Sequence, residues 1–289
     1  MNADVVSIRA GKPFRRGVGK CIFCDSMGIT KEHMWADWLR KYIPRQLQNH
    51  ATSFAKYHPD IIERAIVTRT GDPHSRRIKC VCGNCNNGWM SQIQESAKPY
   101  IIPLLRGIPV AFSRNSQTIL ATWITMMVMV AEHLNTEMVS ISAEERRQFS
   151  ADQKPLLNWR IWIGHHAAIT HPLFSHSVMS FAAEQEIQRL GLNAAEAANT
   201  QTTTILLGKH FLIHVMSSAV AWNIIQMWRL PPEIAAGLVE IWPVRYQYAA
   251  WPPLGAALRD PAIKRLEEHF FNACIALARE RIASLHPTN

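Results

Sequence analysis

The chain has 289 residues, 48% apolar and 18% charged, which excludes a disordered chain and leaves room for one large domain or two ordinary ones. Its formal charge of +9 is segregated: residues 1–115 carry 18 Lys or Arg against 8 Asp or Glu, and the remainder 13 against 14. A basic N-terminal part points to a phosphate-rich partner, and the longest apolar run, Ile119 to Ala131, falls short of the ~20 residues of a membrane span.

Residues 1–20 are polar and basic and read as an arm, with Arg15 and Arg16 as candidate phosphate contacts. No signal-peptide layout opens the chain, so its cysteines are expected as thiolates in a reducing, cytoplasmic setting. Cys21-Ile22-Phe23-Cys24 is a first zinc-knuckle spacing. After a polar turn come Glu32 and His33, then Met34, Trp35, Trp38, Leu39 and Tyr42 at helical spacing, with a stop before Pro44. Trp35 and Trp38 suit either a packed face or a base-stacking platform.

Residues 45–60 read as a loop. Arg64 to Thr70 and Ser75 to Val81 read as a hairpin across Gly71-Asp72-Pro73, with Arg69, Arg76, Arg77 and Lys79 placed to hold phosphates. Then comes Cys82-Gly83-Asn84-Cys85-Asn86-Asn87-Gly88-Trp89, a second knuckle. Two such pairs can meet on one tetrahedral zinc through Cys21, Cys24, Cys82 and Cys85. Cys80 and Cys274 are left over as small core residues. Asn86 or Asn87 is expected to cap a helix to about Ala97, with Pro99 as its stop.

The order Cys-x-x-Cys, Glu-His-x-Trp, Cys-x-x-Cys-Asn-x-Gly-Trp resembles the zinc-containing branch of the HNH endonucleases, over roughly residues 18–100. The resemblance implies a ββα-metal fold braced by a four-cysteine zinc knot. It implies His33 as general base, with Glu32 and Asn86 holding a catalytic Mg²⁺ or Mn²⁺. It also implies hydrolysis of nucleic acid, DNA before RNA, in phage defence or a mobile element. The chain departs from the pattern at Arg76-Arg77-Ile78-Lys79, where many members carry a supporting asparagine. Glu32 and His33 are adjacent, so an extended strand points them to opposite faces unless the chain bends there. The alternative reading is a zinc knuckle that grips nucleic acid without cutting, or a purely structural knot in an adaptor.

Beyond Gly107 the charge is neutral overall, and a second, mixed helical and antiparallel-strand domain is expected over residues 108–289. Its elements are a helix from Gln117 to Leu134, a short charged helix from Ala143 to Ser150, and strands at Arg160 to His166, His176 to Ala182, Thr203 to Leu207 and Phe211 to Met216. Helices are expected at Glu184 to Leu190, Glu233 to Glu240 and Pro261 to Ser284. The histidines at 165, 166, 171, 176, 210 and 214 read as core or surface residues in the absence of accompanying carboxylates or cysteines. This region is the candidate for regulation, a protein partner or a second copy of the chain, with Trp242 and Trp251 as possible anchors. The fold class expected overall is α+β.

Overall fold

The computed structural model describes residues 6–8, 19–43, 50–57, 62–69, 72, 75–180, 198–219 and 222–285. It is a mixed α+β chain built on one eight-stranded sheet. The strands are β1 (Val6–Ile8), β3 (His50–Tyr57), β4 (Ile62–Arg69), β7 (Trp159–His165), β8 (Phe174–Met179), β9 (Thr200–Leu207), β10 (Phe211–Ser218) and β11 (Leu238–Trp242). Their order is β1-β4-β3-β8-β9-β10-β7-β11, with β1·β4 and β3·β8 parallel and the other pairs antiparallel. Two small sheets stand apart: β2 (Ile29–His33) with β5 (Arg77–Cys82), and β6 (Val110–Ser113) with β12 (Tyr248–Trp251).

The central strands β8, β9 and β10 are buried on both faces, which suits the apolar and Thr runs of β9 and β10. On β10, Phe211, Ile213 and Val215 point to one core, and Leu212 and Met216 to the other. The first core holds Cys21, Cys82 and Cys85, with residues of α1 (Ser91–Leu105) and α2 (Arg114–Ala131). The second is closed by a long C-terminal helix, Asp260–Leu285, through Ile263, Leu266, Phe270 and Phe271. From Leu120 to Ala131 every residue of α2 is buried, the signature of a helix packed all round.

The boundary expected at residue 107 does not fall between two cores. β3, from the N-terminal part, pairs in register with β8, from Thr52↔Phe174 to Tyr57↔Met179. Phe23 stands edge-on to Trp89 at 4.9 Å, and both rings reach Phe149 of α3 (Ala143–Asp152), at 6.4 and 5.9 Å. Arg146, also on α3, donates to the Ile22 carbonyl inside the first knuckle and to the buried Glu132 carboxylate at 3.0 Å.

Several local expectations are corrected. Residues 50–57 form a strand rather than loop, because Phe54, Ala55 and Tyr57 are buried in the sheet. The hairpin of Arg64 to Thr70 with Ser75 to Val81 does not form: β4 pairs with β3 and β1, and β5 with β2. Between Met34 and Tyr42 only Asp37–Lys41 is helical, as a 3₁₀ turn, and Glu32 and His33 end a strand. The second-knuckle helix runs through Pro99 and Pro103 to Leu105. Pro99 lies on its exposed side, where water can satisfy the carbonyl that loses its partner, and Gly107 (φ 72°) ends it. Residues 233–240 split into a turn at Pro232–Ala235 and strand β11. Trp251 is buried and donates to the Gly164 carbonyl, and Trp242 donates to that of Leu156. Both indoles are therefore spent inside the fold. The helix expected at 184–190 lies outside the described residues.

His176 and His214 of the sheet are core residues. His176 bonds Thr203 Oγ1 at 2.8 Å and the Met138 carbonyl at 3.0 Å, and His214 bonds Thr204 Oγ1 at 3.0 Å. Burial pushes His166 and His176 down to about 4, and His133 and His214 to about 3. These imidazoles stay neutral when folded but take protons when unfolded, near pH 6.5. Each therefore removes about 1.4 kcal/mol of stability per pH unit below that value, until its folded pKa is reached. Glu132 acts in the opposite sense, since burial, partly offset by Arg146 and two backbone N–H groups, raises it to about 8. Its contribution is full below its unfolded pKa and is lost as pH rises through about 8. Four strongly depressed histidines outweigh the raised carboxyls of Glu132 and Glu32, so the melting temperature is expected to fall between about pH 6.5 and pH 5. A level or rising midpoint in thermal scans contradicts the burial of these rings.

Candidate metal centre and adjoining cleft

The first knuckle is a tight loop closed on itself. Cys21 N–H donates to the Ser26 carbonyl at 2.9 Å, and Asp25 N–H to that of Cys21 at 3.0 Å. Asp25 takes a left-handed conformation (φ 58°), which a short polar side chain tolerates. Ile22 N–H donates to the Cys80 carbonyl, which hangs this loop on β5. The second knuckle starts where β5 ends, with Cys85 N–H directed at Cys82 Sγ at 3.5 Å.

The ligand atoms of Cys21, Cys24, Cys82 and Cys85 all lie within 4.8 Å of one another. Cys24 Sγ is 3.6 Å from both Cys82 Sγ and Cys85 Sγ. Four sulfurs each about 2.3 Å from a tetrahedral zinc would stand about 3.8 Å apart, so the set fits a metal such as zinc. Cys80 is buried outside this group, as its spacing predicts. Hydrogen bonding to Ser26 holds the Cys24 thiol down at about 6. Burial pushes Cys21 and Cys85 up, and the Trp89 indole N–H opposes the rise at Cys85. That N–H is buried without a nitrogen or oxygen partner, as suits a donor to a ligating sulfur.

From the knot the chain passes through Asn86–Met90, a π-helical turn, into α1. On the other side β2 and β5 lie antiparallel, with Glu32 opposite Ile78 and His33 opposite Arg77. The strand–strand–helix unit is thus β2, β5 and α1, with residues 34–76 inserted between the two strands. Glu32 is half-buried: desolvation raises its pKa, and a hydrogen bond from the Asn86 side chain opposes that. Glu32 and His33 line one cleft of about 330 Å³, counting the space open to solvent. The strand ends at His33, so adjacent residues reach a common space.

The cleft is also lined by apolar side chains of the long buried helix, Trp123, Met126, Met127 and Val130 of α2, with Met90 beside them. Gln94 of α1 adds an amide. Their only signal was a Met-rich apolar helix, which reads the same whether or not a polar pair stands against it.

The cations divide. Arg77 and Lys79 are exposed on β5, and Lys79 faces Lys31 directly across the pair. Strand alternation puts Lys31, His33, Arg77 and Lys79 on one side. Arg76 instead turns inward, donating to Thr52 Oγ1 at 3.2 Å, with burial and neighbouring Arg69 bringing its pKa down to about 10. Arg69 is exposed at the end of β4. Arg15 and Arg16 lie outside the described residues.

The chain matches no family model, no curated protein and no solved structure. Among the described residues, no helix is long and apolar enough to cross a membrane.

Proposed function

We propose that the chain is a metal-dependent endonuclease of the HNH kind, with a zinc knot at Cys21, Cys24, Cys82 and Cys85 bracing a ββα-metal site. The observation that carries this reading is that Glu32 and His33 line one cleft, while Asn86, 53 positions beyond His33 in the sequence, acts on the Glu32 carboxyl and directly follows a cysteine of the thiol cluster. Glu32 and Asn86 offer hard oxygens for Mg²⁺ or Mn²⁺, and the Asn86 side chain lies close enough to Glu32 to act on its carboxyl. Such an ion, when bound, supplies charge stabilisation at the phosphate and at the leaving oxygen. His33 takes a proton from water as the water oxygen bonds to phosphorus and the bond to the 3′ oxygen breaks. The 3′ oxygen leaves as an alkoxide and takes a proton from solvent water, so the products are a 5′ phosphate and a 3′ hydroxyl. The apolar floor limits competing water and strengthens electrostatic contacts in the cleft.

Nucleic acid as substrate, DNA in the first place, is supported by the basic side of β2 and β5. Like charges facing each other across a strand pair destabilise it, and a polyanion relieves that repulsion. Replacing Lys79 by Thr is therefore expected to stabilise the chain, by about 0.2–1 kcal/mol, while weakening nucleic-acid binding. Neutralising Lys31, Arg77 and Lys79 together should lower the slope of log K against log salt by about 2–3. An unchanged slope in titrations at several salt concentrations places the substrate elsewhere.

The test of the reading is incubation of the zinc-loaded chain with supercoiled plasmid and with single-stranded DNA in Mg²⁺ or Mn²⁺. Cutting that ends in 5′ phosphates and stops when the ion is withheld is the expected outcome. Binding without cutting under every ion would leave the non-catalytic knuckle as the function.

A further inference from the structure

Of the two tryptophans that follow His33, Trp35 is buried and Trp38 is not. Trp38 Nε1 donates to Gln94 Oε1 at 3.2 Å, and Gln94 lines the Glu32–His33 cleft. From there a strip of alternating rings and cations runs along α1. Lys98, which also pairs with Glu95, sits 5.7 Å over the Trp38 ring. Tyr42 stands edge-on to Trp38 with centroids 6.3 Å apart, and carries Lys41 at 5.9 Å and Arg106 at 5.2 Å over its own ring. Lys41 and Arg106 are exposed; Trp38, Tyr42 and Lys98 are half-exposed. Gln94 to Arg106 spans about 18 Å of helix.

We propose that this strip holds an unpaired nucleic-acid strand leading into the cleft, so that the substrate presented to Glu32 and His33 is single-stranded. The inference rests on the nuclease reading for what happens in the cleft, but not for the binding itself. Aromatic faces separated by cations suit a strand whose bases stack while its phosphates meet the charges. A duplex keeps its base faces stacked on one another and can use only the cations. Lys98 and Arg106 already rest on ring faces, so an arriving base would displace them toward its own phosphates.

The experiment measures binding of a labelled oligodeoxythymidylate of about a dozen nucleotides, and of a hairpin duplex, by fluorescence anisotropy. It uses the full zinc-loaded chain carrying His33→Ala, so that nothing is cut. Adding Trp38→Leu is expected to weaken single-strand binding by about fivefold to a hundredfold and leave the duplex nearly unaffected, while Trp38→Phe restores most of the loss. Equal affinity with and without Trp38→Leu, or an equal loss for strand and duplex, overturns the proposal. If Trp38→Leu fails to fold, Lys41→Gln with Arg106→Gln at exposed positions replaces it, and an unchanged single-strand affinity and salt slope overturns the proposal equally. A chain that binds the strand through Trp38 yet cuts nothing in Mg²⁺ keeps the strip and defeats the nuclease reading. A chain that cuts while Trp38→Leu binds like its parent does the reverse.

Discussion

Replacing His33 by alanine is expected to lower the rate of DNA cutting by about 10²–10⁴, the usual worth of a positioned general base. The same variant should keep one zinc per chain and an unchanged melting profile. His33 ends β2 opposite Arg77 and lines the cleft, so its removal opens space without uncovering the sulfur cluster. The two readouts separate chemistry from scaffold. A variant that loses cutting together with zinc has lost the site's frame rather than its base. One that cuts at the parental rate removes His33 from the mechanism.

The second large effect is expected on stripping the metal. Structural zinc in small domains is worth about 10–16 kcal/mol in apparent binding free energy, comparable with the whole stability of an ordinary fold. The cysteine cluster does not sit in a detachable lobe. Phe23 and Trp89 pack on Phe149, Arg146 reaches into the first knuckle, and β3 runs beside β8. A strong chelator, or Cys82→Ser, should therefore unfold the chain in one transition. Far-ultraviolet circular dichroism and tryptophan fluorescence should report the same midpoint. Two separated transitions would mean that the sheet stands without the knot. By the same packing, residues 1–107 alone are expected not to fold, because β3 loses β8 and the cleft loses the α2 floor.

The legible part of this chain is the part written in local chemistry. Cysteines with two residues between them announce a knuckle whatever surrounds them, and the choice of Cys82 over Cys80 follows from spacing alone. The long apolar helix and the strands β7, β9 and β10 also declare themselves, since burial on both faces favours stretches rich in apolar, aromatic or β-branched residues. Pairing was not legible. Gly71-Asp72-Pro73 has hairpin chemistry, yet the strands beside it join different sheets: β4 pairs with β3, its neighbour just upstream, and β5 with β2, far upstream. Charge along the chain is likewise no guide to packing. A fall in charge at residue 107 marks where the basic surface ends, not where a core ends. The cleft floor stayed hidden because Met126 and Met127 obey the rule for core residues, and only the fold sets them against Glu32.

The central claim is that Glu32 and Asn86 hold a divalent ion next to the zinc knot and within reach of His33. Titration of the zinc-loaded chain with Mn²⁺, followed by electron paramagnetic resonance of the free ion, measures this most directly. The account predicts one Mn²⁺ site per chain that is displaced by Mg²⁺. The site should be lost or greatly weakened in both Glu32→Gln and Asn86→Leu, while zinc content stays the same. Mn²⁺ bound equally by the parent and both variants, or not bound by any of them, contradicts it.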